Sequence, residues 1–149
     1  MTEGKDGWAG VLRGKPRVGD SAERTRTTRM ADVLAFTEMT GDRSPLHYDA
    51  ALAGKTSFGR LIVQGGVTSG LLNALVAEDL PGPGSVFLRV EWRFVKPVGI
   101  DEAITGRVEI LEVRDDKPIS RIITSVRNAT GEDCLTGTAT VYTVPLEAL

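Results

Sequence analysis

The stretch 65-GGVTSGLLNALVAED-79 decides the fold, because it is the only stretch apolar enough to form a buried helix. Its larger aliphatic side chains recur at helical spacing and form one stripe, which consists of Val67, Leu71, Leu72, Leu75 and Val76. Two glycines open the stretch, and 81-PGPG-84 ends it. The pattern predicts a helix over 65–79 whose apolar face needs a covering layer.

Downstream of this helix the hydrophobic period changes to two, which is typical of strands. Over 86–95 apolar residues alternate with mostly charged ones, and we expect the apolar set to share one buried face: Val86, Leu88, Val90, Trp92 and Phe94. Further strands are predicted at 104–110, 119–128 and 135–144. Short turns between them imply antiparallel pairing, so we expect a meander of four strands.

Upstream, the Thr- and Arg-rich stretch 21–29 suits an exposed strand, and a helical pattern begins at Met30 and stops at Gly41. Asp49 is placed to cap a short helix. Residues 1–19 carry several glycines and few apolar side chains, so we interpret them as a flexible arm before one domain over 20–149. A strand, helices and then a sheet that packs on helix 65–79 make an α+β fold.

Composition narrows the functional classes. The formal net charge is −2, which predicts neither a nucleic-acid partner nor an anionic membrane partner. Cys134 is the only cysteine and has no nearby histidine, so we expect a small strand residue in a reducing compartment. The N-terminal stretch lacks the apolar core of a signal peptide, and the longest apolar region is too short for a bilayer. We therefore expect a cytoplasmic protein.

His47 is the only histidine, and Asp42 precedes it by five residues with Pro45 between them. Proline disfavours helical angles at the residue before it, so the segment turns and can bring carboxylate and imidazole to one water. Their ordinary pKa values, about 3.9 and 6.5, suit a base and an acid near neutral pH. An aspartate in a turn often only binds backbone amides, and a lone histidine is more often structural than catalytic. Spacing alone therefore leaves both interpretations open.

The glycine pair at the start of helix 65–79 also has two interpretations. A helix N-terminus exposes unpaired N–H groups and carries partial positive charge. The Gly65 amide could therefore stabilise an oxygen that gains negative charge during a reaction. Alternatively, Gly65 and Gly66 only allow the helix to pack tightly on the strands.

These residues resemble a known family. The stretch 36-FTEMTGDRSPLH-47 is similar to the signature of the MaoC-like (R)-specific enoyl-CoA hydratase and dehydratase family, which reads aromatic, Gly-Asp, Asn-Pro, aliphatic, His. The stretches 62-IVQG-65, 92-WRFVKPV-98 and 115-DDKP-118 resemble further landmarks in the family's order, over roughly residues 20–144. The resemblance implies a hot-dog fold, in which a long antiparallel sheet wraps around a central helix, and a homodimer.

The resemblance also implies site roles. Asp42 and His47 match the family's catalytic pair, and Gly65 matches the glycine whose N–H binds the thioester oxygen. Three neighbouring positions depart from the pattern, since Ser44 replaces the usual Asn, Gln64 replaces a common His, and Asn73 stands where a small hydroxyl residue is frequent. We expect these three to border the substrate site and to affect chain-length preference.

The implied reaction is reversible addition of water to a trans-2-enoyl thioester of coenzyme A or acyl-carrier protein, giving an (R)-3-hydroxyacyl thioester. Asp42 would activate the water and His47 would protonate the α-carbon, with no metal or redox cofactor. A hot-dog thioesterase is less favoured, because the central helix has no carboxylate before Glu78. A non-catalytic acyl-binding subunit is disfavoured by the presence of both Asp42 and His47.

Overall fold

The computed structural model describes residues 6–147, which form five strands and four helices. One strand and four helices come first, and four long strands follow. Their bounds are β1 Ser21–Thr27, α1 Met30–Thr40, α2 Pro45–Tyr48, α3 Ala50–Gly54, α4 Gly65–Glu78, β2 Ser85–Phe94, β3 Ala103–Val113, β4 Ile119–Asn128 and β5 Asp133–Thr143. The α+β class is confirmed.

Helix α4 lies on the sheet through the predicted aliphatic stripe. Leu72 and Leu75 are fully buried, and they join inward residues of β3, β4 and β5 in one core. Gly106 lies opposite them in β3, and a Cβ at that position would be 3.0 Å from Leu71 Cγ and 3.1 Å from Leu75 Cδ1. The missing side chain lets the strand approach the helix closely. The sheet is therefore the covering layer that the stripe requires.

The sheet order corrects the expected four-strand meander. The order is β1-β3-β4-β5-β2 with antiparallel neighbours, so β2 pairs with β5 at the far edge and not with β3. The connection from β2 to β3 leaves the sheet: Val63 N–H donates to Val98 O at 2.8 Å, and Ile62 forms a bridge with Gly99. This connection therefore runs beside the chain that enters α4 and does not form a tight hairpin.

A bulge in β2 corrects the predicted faces of that strand. Register shifts between Phe87 and Arg89, so Phe87 and Trp92 lie on the same, helix-facing side. Their rings form an edge-to-face pair with centroids 5.6 Å apart. The extra residue at the bulge reverses the alternation, which is why Val86 and Leu88 are exposed instead of buried. Val90 and Phe94 were also expected to be buried, but they are 42% and 58% exposed on this edge strand.

The first described residues differ from the loose arm expected for 1–19. Trp8 is only 2% exposed, and its indole N–H donates to Arg114 O at 2.7 Å. Gly7 N–H also donates to Asp115 O at 2.8 Å. A single tryptophan buries enough apolar surface to hold a glycine-rich segment on the β3–β4 turn. Residues 1–5 of the expected arm lie outside the described residues.

The remaining local expectations are confirmed. Gly41 ends α1 in the left-handed conformation, with φ 82°, and the Asp49 carboxylate accepts the Leu52 N–H at 3.0 Å at the start of α3. Cys134 is buried in β5, where burial raises the pKa of its thiol, as suits a structural residue. Helix α2 was not predicted. Among residues 6–147, no helix is long and apolar enough to cross a membrane.

Helix α1 packs across the first turn of α4 through the Phe36 ring. A Cβ at Gly66 would overlap this ring, whereas a Cβ at Gly70, one turn later, would meet nothing within 4 Å. Gly66 therefore allows close packing, but against helix α1 and not against the strands as expected. At Gly65 the close neighbour does belong to a strand, since a Cβ there would be 3.2 Å from Phe94 Cε1 of β2.

We expect Gly66→Ala and Gly70→Ala to change stability in opposite directions. Alanine at Gly70 gains roughly 0.5–1 kcal/mol of helix propensity, while alanine at Gly66 displaces the Phe36 ring and costs about 1–3 kcal/mol. Urea unfolding at one protein concentration measures both. A Gly66→Ala variant as stable as Gly70→Ala would contradict the packing described here.

Candidate active site

The turn after α1 directs the Asp42 carboxylate. Gly41 N–H donates to Thr37 O at 2.7 Å and reverses the chain. Asp42 Oδ1 then accepts the Ser44 N–H at 3.0 Å, a local bond typical of aspartate in turns. With Oδ1 occupied, Oδ2 is the oxygen that faces His47.

His47 lies in α2 and is held by a backbone carbonyl. Its Nδ1 is 2.6 Å from Ile62 O, and because a carbonyl oxygen only accepts, Nδ1 must carry a proton. Nε2 therefore faces Asp42, 3.7 Å from Oδ2, which is too far for a direct hydrogen bond. Asp42 Oδ2 and His47 Nε2 can therefore both hydrogen-bond to the same water molecule.

The environment of the pair is asymmetric. The His47 side chain is 8% exposed, whereas that of Asp42 is 38% exposed. The imidazole is therefore shielded and fixed, and solvent reaches the pair from the carboxylate side.

The N-terminus of α4 begins three residues after Ile62. Gln64 occupies the N-cap position but makes no side-chain bond to the first turn. Its amide Nε2 instead donates to Val33 O at 3.1 Å and to Thr37 Oγ1 at 3.3 Å. The N–H of Gly65, the first residue of α4, has no acceptor among residues 6–147 and stays available to an oxygen from outside the chain.

Gly65 also opens onto a cavity of about 350 Å³. Its walls are mostly apolar and are formed by Phe58, Ile62, Val63, Gly65, Thr68, Phe94, Val95, Lys96, Pro97 and Val98. Asp42 and His47 are not among its lining residues, and Ile62 connects the two places: its carbonyl binds His47, and the residue lines the cavity. A second groove of about 480 Å³, between β1, α1 and α4, includes neither Asp42 nor His47.

The three further residues expected to border the substrate have the following positions in the structure. Ser44 caps α2, where its Oγ accepts the Leu46 N–H at 3.4 Å. Gln64 is buried and holds α1 against α4. Asn73 is exposed and lines neither cavity, because Leu72 and Leu75 turn the opposite side of α4 toward the sheet.

The sequence analysis did not identify Thr37, which contacts the turn that carries Asp42, or Tyr48, which contacts Thr37. The Thr37 hydroxyl donates to Asp42 O at 2.7 Å and also hydrogen-bonds the Tyr48 hydroxyl. A signal was present, since Thr37 follows Val33 by four residues on the buried face of α1. A polar residue in that position requires partners.

Comparison with known proteins agrees with these features. The sequence profile of the MaoC like domain family matches residues 15–131. An (R)-specific enoyl-CoA hydratase of Aeromonas caviae is 36% identical over 124 residues, which cover 83% of this chain and 92% of that protein. A 3-hydroxybutyryl-CoA dehydratase of Methylorubrum extorquens is 37% identical over 92 residues, or 62% of this chain and 59% of that protein.

Solved structures give the same result. An (R)-hydratase from Aeromonas caviae superimposes with a TM-score of 0.82 at 35% identity, over 87% of this chain and 98% of that one. An R-hydratase from Pseudomonas aeruginosa superimposes with a TM-score of 0.80 at 34% identity, over 86% of this chain and 82% of that one. The predicted hot-dog fold is confirmed, and the chain belongs to the MaoC-like hydratase and dehydratase family.

Proposed function

We propose that this protein is an (R)-specific enoyl-CoA hydratase, which adds water reversibly to trans-2-enoyl thioesters. The observation that carries the proposal is the pair of Asp42 Oδ2 and His47 Nε2, 3.7 Å apart, with the imidazole fixed by Ile62 O. The relatives named above as hydratase and dehydratase support the same reaction class.

Asp42 acts as the base and His47 as the acid. A water between them gives a proton to Asp42 while its oxygen bonds to the β-carbon, and imidazolium His47 gives its Nε2 proton to the α-carbon. The product leaves protonated Asp42 beside neutral His47. A proton then returns from the carboxyl to the imidazole, directly or through a water, and restores the starting pair.

The Gly65 N–H stabilises the thioester oxygen as negative charge develops on it. The uncapped first turn of α4 supplies this donor and the positive end of a 14-residue helix. Because both proton transfers and the oxyanion contact are assigned to groups of the chain, the proposed reaction needs neither metal nor redox cofactor.

The substrate is an enoyl thioester of coenzyme A or of acyl-carrier protein. Support for an acyl ligand comes from the largely apolar cavity at Gly65, which includes the rings of Phe58 and Phe94. The (R) configuration of the product rests on the similarity to the (R)-specific hydratases.

A cytoplasmic location is part of the proposal. Cys134 is the only cysteine, and it is unpaired and buried, which suits a compartment that keeps thiols reduced.

Hydration of crotonyl-CoA tests the function, with Asp42→Asn, His47→Gln and, as a matched control, Asp49→Asn. Loss of the enoyl absorbance without release of free thiol is expected for the wild type. We expect the first two variants to lose about 100-fold or more in kcat, because each removes one proton transfer. Asp49→Asn makes the same chemical change in an N-cap, where asparagine also serves, and should keep the wild-type rate.

Other results of this assay would indicate a different function or different residue roles. Thiol release would indicate a thioesterase, and tight acyl-CoA binding without turnover would indicate a binding subunit. Near-normal rates for folded Asp42→Asn and His47→Gln would contradict the assigned roles.

We further propose that the protein is a homodimer joined through β2. This strand is at the edge of the sheet, and its apolar side chains are uncovered: Val90 is 42%, Leu88 57% and Phe94 58% exposed. A long apolar edge strand normally needs a partner. Phe94 also lines the cavity at Gly65, so a second copy on β2 would lie next to the substrate.

We expect the wild-type protein to sediment as a species of twice the monomer mass. Leu88→Glu places a charge in the proposed interface and should shift the equilibrium toward monomer, whereas Val18→Glu, at an exposed position outside the sheet, should leave a dimer. Analytical ultracentrifugation at micromolar concentration measures both, and a monomeric wild type would refute the dimer.

A further inference from the structure

The Thr37 hydroxyl is the meeting point of three separate segments. Its Oγ1 lies 2.7 Å from Asp42 O and 3.3 Å from Gln64 Nε2, and it also bonds the Tyr48 hydroxyl. Thr37 itself is buried on the inner face of α1. The contact with Gln64 is buried, and the contacts with Asp42 O and Tyr48 are partly buried.

The direction of each bond follows from the groups involved. Asp42 O is a carbonyl, so the single Thr37 proton must point to it. Gln64 Nε2 can only donate, as its contact with Val33 O also requires, and it uses one Thr37 lone pair. Tyr48 must then donate to the other lone pair. The hydroxyl has one proton and two lone pairs, and all three are used.

Each of these three partners is a residue of the proposed site or is next to one in the sequence. Asp42 is the proposed base, Tyr48 directly follows the proposed acid His47, and Gln64 directly precedes Gly65, whose N–H is assigned to the thioester oxygen. One hydroxyl thus connects the three backbone segments that carry the proposed chemistry.

We propose that Thr37 is a positioning residue, which sets the Asp42 carboxylate at its distance from His47 by holding the Asp42 backbone carbonyl. The inference rests on the proposed hydratase function. Asp42 is otherwise held by the Ser44 N–H at Oδ1 and by its own N–H, which lies 3.2 Å from Thr40 Oγ1. Both of these bonds are local to an exposed turn, whereas the Thr37 bond ties the turn to the buried face of α1.

The test is the steady-state hydration of crotonyl-CoA by Thr37→Val, with Thr37→Ser and Thr25→Val for comparison. Valine keeps the shape but loses the hydroxyl, and we expect kcat to fall roughly 10- to 100-fold with KM changed less than about twofold, since a small misplacement of a catalytic group lowers the rate of chemistry. Serine restores the hydroxyl and should recover most of the loss. The Thr25 hydroxyl bonds the Thr105 hydroxyl on the exposed face of β1, and Thr25→Val should match the wild type.

The same substitution in an Asp42→Asn background separates positioning from general damage. If Thr37 acts through the carboxylate, Thr37→Val lowers the residual single-turnover rate no further once the carboxylate is gone. An equal loss in both backgrounds, or a wild-type kcat for Thr37→Val, would overturn the inference.

Tyr48→Phe provides a second route if Thr37→Val does not fold. It removes one donor to Thr37 and leaves the bond to Asp42, so we expect a severalfold loss of kcat that is absent in the Asp42→Asn background. Equal effects in the two backgrounds overturn the inference here too. A wild type that does not hydrate crotonyl-CoA overturns the proposed function and the inference together, whereas an active wild type with unaffected variants overturns only the inference.

Discussion

The whole arrangement depends on covering one aliphatic stripe. Helix α4 carries Leu71, Leu72, Leu75 and Val76 on one side, and burying four such side chains contributes several kilocalories per mole to stability. The sheet can cover this stripe because β3 has a glycine, Gly106, opposite Leu71 and Leu75 of the helix. With the sheet on one side of α4, helix α1 packs over the first turn of α4 at Gly66.

That packing creates the chemistry of the site. Helix α1 approaches the first turn of α4 over Gly66, and α2 follows it with His47 directed at the carbonyl of Ile62. The unpaired N–H groups of the helix terminus, the imidazole and the carboxylate thus come from three segments that are near each other only because α4 is buried. The relative positions of these groups are well defined because close-packed segments have little freedom to shift.

The parts of this structure that local sequence determines were predictable. Period, caps and turns identified β1, α1, α3, α4 and the four long strands, and the motif around Asp42 and His47 identified a pair that the fold does bring together. Non-local partners were not predictable. Nothing in the alternation of 86–95 reveals the bulge after Phe87 or the pairing of β2 with β5, and nothing near Trp8 reveals Arg114 O as its acceptor. The buried position of Gln64 was not predictable for the same reason, because its hydrogen-bond partners lie in α1.

The crossover between β2 and β3 has a consequence for synthesis on the ribosome. Within the described part of the chain β2 pairs with β5, so it leaves the exit tunnel well before its partner strand and waits unpaired while β3 and β4 are made. During that interval an apolar strand with two free edges is open to self-association or to a chaperone. The nascent chain is therefore most vulnerable just before its last strand emerges, and premature termination within β5 would leave that vulnerability permanent.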